Sequence, residues 1–69
     1  MLVRRIVVNI EGAVVNQSSV RVQDRTEAVS LILKEQREFP TSGFDEKGGY
    51  YWARTAEKRA ATHRWTIDE

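Results

Sequence analysis

No cysteine occurs in the chain, and His63 is its only histidine. Disulfides are excluded, and a zinc site built from the chain's own side chains lacks the donors it needs. The missing cysteine also agrees with a reducing compartment. Long apolar runs are missing too. Ile6, Val7 and Val8 follow Arg4 and Arg5, but Asn9 and Glu11 end the run well short of a signal-peptide h-region. Nothing approaches the ~20 apolar residues of a membrane span. Charge of one sign is scarce, since 11 Lys and Arg stand against 10 Asp and Glu, for a net +1. Such a chain has no global field to attract nucleic acid or an anionic membrane, so only a local patch can do so. The expectation is a cytoplasmic protein with no cofactor, no metal and no membrane partner.

What is present describes a folded domain. Hydrophobic residues make up 41% and charged residues 30%, with the two signs nearly balanced. A disordered chain has fewer large apolar residues and more net charge. Sixty-nine residues suffice for one core, so residues 1–69 are read as a single domain. A chain this short buries only ~60% of the surface its unfolded form exposes. With disulfides and metals set aside, oligomerisation is the remaining way to add buried area, which makes a homodimer an expectation.

The first segment, Leu2 to Ile10, alternates and is rich in β-branched residues. Leu2, Ile6, Val8 and Ile10 share one face with Arg4; Val3, Arg5, Val7 and Asn9 share the other. Glu11-Gly12 signals a turn, and Val14 to Gln23 reads as a second strand. Its polar middle, Asn16 to Ser19, fits a bulge or a longer loop, so the turn of the hairpin is expected at Glu11-Gly12 or nearer Asn16. Asp24 followed by Glu27 has the spacing of a capping box, which predicts a helix from Arg25 to Glu38. Ala28, Val29, Ile32, Leu33, Gln36 and Phe39 form its apolar face, and Pro40 stops it. Pro40 to Gly49 reads as a loop whose glycines serve turns with positive φ, with Phe44 tucked onto the core.

Tyr50 to Thr55 and Ala60 to Ile67 read as a hairpin around Ala56 to Arg59. In that register Trp52 faces His63 and Tyr50 faces Trp65. Tyr50, Trp52, Ala61, His63, Trp65 and Ile67 then form the buried face, and Tyr51, Ala53, Thr55, Thr62, Arg64 and Thr66 the solvated one. The predicted fold is α+β, ordered ββαββ. Its four-stranded antiparallel sheet, in order 2-1-3-4, carries one helix on one face.

No constellation predicts catalysis. His63 has no nucleophile or carboxylate at a spacing that identifies a partner, and it reads as a partly buried sheet histidine with a hydrogen-bonded ring nitrogen. Gly43 to Gly49 imitates the glycine spacing of a phosphate loop. Gly49 and Tyr50, however, stand where that loop needs Lys and then Ser or Thr. No small-molecule substrate is evident.

The one functional signal lies in the C-terminal hairpin, where Arg54, Lys58, Arg59 and Arg64 outweigh Glu57. Tyr51 is expected beside Arg64 on the solvent face. An aromatic ring among guanidinium groups on a sheet can stack single-stranded bases. Val3, Val7 and Tyr51 would give the uncovered face an apolar character suited to protein. The sequence therefore predicts a non-enzymatic interaction domain that binds a protein partner, or its own copy, through the open sheet face. The alternative is a small nucleic-acid-binding protein using Tyr51, Arg54, Lys58, Arg59 and Arg64.

Overall fold

The computed structural model describes residues 1–57 and 60–68. Among them the elements run β1 (Leu2–Val8), β2 (Val14–Arg21), α1 (Arg25–Gln36), β3 (Thr41–Asp45), β4 (Tyr50–Arg54) and β5 (Thr62–Asp68). The strands form one antiparallel sheet in the order β2-β1-β5-β4-β3. The α+β class with one helix on an antiparallel sheet is as expected. The strand count is corrected from four to five, and the order 2-1-3-4 is replaced.

Two causes account for the correction. Thr41–Asp45, expected as loop, pairs with β4 along its whole length. The chain also crosses by way of α1 to the far edge of the sheet and returns as the meander β3-β4-β5. Its last strand, rather than the Tyr50 strand, therefore lies beside β1.

Local chemistry sets the ends of the elements. In the β1–β2 turn, the Asn9 side-chain oxygen accepts from the N–H groups of Glu11 and Ala13, at 3.0 and 2.9 Å. Gly12 supplies a φ of 89° there. A register shift at Val7/Val8 sets Val15 between the pairs Val7↔Asn16 and Val8↔Val14. Asp24 caps α1, its Oδ1 accepting from the Glu27 N–H at 2.9 Å, while Glu27 reaches back to the Gln23 N–H. The helix ends at Gln36, two residues before the predicted Glu38.

The core lies between α1 and the middle of the sheet. Val3, Val22, Ala28, Ile32, Ala53 and Trp65 are buried together, with Phe39, Tyr51 and Ile67 packed against them. Trp65, on the central strand, is fully buried. Leu33, expected on the buried face of the helix, is 47% exposed. A 12-residue helix is only ~18 Å long and cannot cover five strands. All eight residues of β2 are exposed as a result.

No helix among the described residues is long and apolar enough to cross a membrane.

Candidate functional site

Cross-strand partners share a face, so register decides what each side of the sheet displays. In the C-terminal hairpin the pairs are Tyr51↔Trp65, Trp52↔Arg64, Ala53↔His63 and Arg54↔Thr62. This lies one residue away from the expected register, and a one-residue slip exchanges the two faces of a strand. The connection causes the slip, because residues 55–61 separate the paired ends and the expected loop was only four residues long.

Several expectations are corrected accordingly. Tyr51 lies on the helix side beside the core and packs at a tilt against Phe44, with the ring centroids 4.7 Å apart, so it is not a solvent-face neighbour of Arg64. Phe44 is itself 46% exposed rather than tucked inside. Val3 and Val7 also face the helix side, opposite Ile67 and His63, so they cannot make the open face apolar. Trp52 and Tyr50 move outward to the open face, paired there with Arg64 and Asp45. Lys58 and Arg59 lie outside the described residues.

On the open face, β1 contributes Arg4, Ile6 and Val8, and β5 contributes Thr62, Arg64 and Thr66. Arg54 of β4 lies between Thr41 and Thr62. Two glycines let the aromatic rings lie against the backbone. A Cβ on Gly43 would sit 3.0–3.1 Å from the Trp52 indole, and one on Gly48 would run into the Tyr50 ring. Their expected role was positive φ, yet in that loop only Gly49, at 69°, adopts it. The Arg64 guanidinium lies over Tyr50, 4.8 Å from the ring centroid. Its Nε is buried without a hydrogen-bond partner among the described residues.

Asp45, Tyr50, Trp52, Arg54, Thr62 and Arg64 line a shallow depression of about 270 Å³ on this face. A second hollow, of about 430 Å³, continues from Arg54, Thr62 and Arg64 toward Val8 and Ile10. Arg4 is neutralised by Asp68 at 2.9 Å, whereas Arg21, Arg54 and Arg64 make no ion pair among the described residues. Asp45 is the acidic group of the depression. The Gly48 N–H, and then the Tyr50 side chain, hold its carboxyl below the usual carboxylate range.

The helix side holds a second polar cluster. Arg5 forms an ion pair with Glu35 at 2.8 Å, lies over Trp65 at 5.2 Å, and reaches His63 Nδ1 at 2.7 Å. A guanidinium can only donate, so Nδ1 is the acceptor and the ring proton sits on Nε2. Burial, and then the Arg5 charge, push the imidazole below its ordinary range, while Glu35 opposes them. Phe39 packs on the same ring at 4.6 Å. His63 is thus held by structural neighbours, as its sequence context predicts.

Compared with known proteins, the chain matches no family model, no curated protein and no solved structure.

Proposed function

We propose that the protein is a non-enzymatic binding module that works through the open face of its sheet. Single-stranded nucleic acid is the ligand class this face fits best. The reading rests above all on Trp52, laid flat over Gly43 with Arg64 and Arg54 beside it. A flat indole stacks on a base of any identity, and a guanidinium both stacks and pairs with phosphate. The arginines Arg21, Arg54 and Arg64 supply local positive charge that the net charge of +1 does not reveal.

The test is a titration with short single-stranded oligonucleotides, followed by Trp fluorescence and anisotropy at low salt. Loss of one stacked base costs ~1–3 kcal/mol, so Trp52→Ala is expected to weaken binding roughly 5- to 150-fold. Arg64→Ala should weaken it as well, with the melting curves of both variants staying cooperative. If the wild type does not bind, or if both variants bind as well as it does, the reading fails.

A protein partner is the second reading. Its support is the apolar end of the first hairpin, where Ile10, Val14 and Val15 are each more than half exposed. Association through such a surface persists or strengthens at high salt, whereas phosphate binding weakens.

A further inference from the structure

We propose that a second copy of the chain adds to the sheet along the free edge of β2, forming a two-fold dimer. The inference goes beyond the open-face reading and, Arg21 apart, rests on separate residues.

The edge is long and poorly guarded. β2 runs eight residues, Val14–Arg21, all of them exposed, with no proline and with Arg21 as its only charge. Val14, Val15 and Val20 are exposed by 54%, 59% and 49%. Natural sheets protect such strands with inward charges, lysines, prolines, bulges or a covering segment; of these β2 has the bulge at Val15, toward one end of the strand. The opposite edge differs. β3 is only five residues long.

The ladder shows which backbone groups of β2 are free. The Val22 N–H donates to the Met1 carbonyl at 2.9 Å, in step with the Leu2↔Arg21 register. Antiparallel ladders alternate, so Val20, Ser18 and Asn16 direct their backbone groups at β1. Arg21, Ser19 and Gln17 direct theirs outward. The Gln17 N–H donates to the Asn16 side-chain oxygen at 2.8 Å, an exposed local bond that it would exchange for a carbonyl of the second copy.

A second copy suits this edge on grounds of symmetry and charge. Antiparallel self-pairing about an axis near Ser18 brings the outward groups of Gln17 and Ser19 together from both copies. The two Arg21 side chains then lie at opposite ends of the seam, ~20 Å apart along the strand direction. The axis stands perpendicular to the sheet, so both helices fall on one side and both open faces on the other. The dimer would present two copies of the Trp52 surface side by side.

Light scattering on the full chain without nucleic acid, from low micromolar to near-millimolar concentration, reads the seam independently of ligand binding. The wild type is expected to reach twice the monomer mass. Ser19→Pro removes an outward N–H, and Gln17→Lys sets like charges close together across the axis; each should leave a monomer with an unchanged far-ultraviolet spectrum. If Ser19→Pro unfolds the chain, Gln17→Lys decides alone. A wild type that stays monomeric throughout overturns the proposal. So does a dimer that a folded variant leaves intact.

Discussion

Gln36 carries an amide into the buried interface between helix and sheet, where its Nε2 donates to the carbonyls of Gly43 and Trp52 at 3.1 and 2.9 Å. One side chain therefore ties the last turn of α1 to two adjacent strands, and both strands lie beneath the Trp52 surface. Gln36→Leu keeps the volume but removes both hydrogen bonds, at a cost of ~1–3 kcal/mol. Thermal melting should fall by several degrees or more, and an unchanged melting temperature would show that the bonds contribute nothing. His63 gives a prediction of the opposite kind, one set by pH. Its folded form favours the neutral ring, since burial and Arg5 both disfavour the imidazolium. The unfolded state then binds the proton more readily, so this contribution is complete above the ordinary histidine value of ~6.5 and is lost as pH falls below it. Asp45 is depressed as well, but its contribution fades only as pH falls below the ordinary carboxylate range, so the two windows separate. Urea midpoints at pH 7.5 and 5.5 should differ for the wild type, and the difference should shrink in His63→Gln. An equal difference in both proteins would assign the effect to other groups.

The elements differ in how openly the sequence announced them, and the two tryptophans show why. The cap at Asp24 and the turn at Glu11-Gly12 are local signals with local causes, and both stand in the structure. β3 carried no such signal. Thr41-Ser42-Gly43-Phe44-Asp45 has no β-branched alternation, and its glycine serves the Trp52 ring above it instead of a turn. In the C-terminal hairpin, Tyr50, Tyr51 and Trp52 are consecutive aromatics, so the pattern does not say which face is buried. The seven-residue connection then sets the register, and nothing local encodes its length. β1 is ambiguous for a similar reason. Each face has one arginine and several aliphatics, and only the ion pair from Glu35 of α1 shows that Arg5 belongs under the helix. The candidate surface was thus legible as a place, through Arg54 and Arg64, and wrong in its aromatic residue. Fluorescence tests the corrected register. A Trp52→Phe variant, which keeps only Trp65, should emit to the blue and resist acrylamide, because Trp65 is fully buried. Trp65→Phe should leave a redder, quenchable emission. Truncation to Trp65→Ala should cost ~3–5 kcal/mol, enough to unfold most domains of this size. Blue, acrylamide-resistant emission from both variants would restore the register read from the sequence, which buries both tryptophans.

At the scale of the whole molecule, a net charge of +1 constrains how any nucleic acid is held. Long-range steering is weak for such a protein, so the salt dependence of binding must come from the few arginines that touch phosphate. Arg4 contributes little, being tied to Asp68, which leaves Arg21, Arg54 and Arg64 on the open face among the described residues. Three phosphate contacts on a single strand imply a slope of about −2 for log K against log salt. Affinity should then fall roughly a hundredfold for each tenfold rise in salt. Arg54→Ala should flatten the slope by ~0.7 while leaving stacking on Trp52 in place. Trp52→Ala should do the reverse, lowering affinity at every salt concentration without changing the slope. This separation follows from the geometry, since Trp52 offers a ring face and Arg54 a charge within one depression. Titrations at four or five salt concentrations measure both quantities at once. A slope far steeper than −2 would bring residues beyond these three arginines into the contact, and a slope near zero would favour the protein partner.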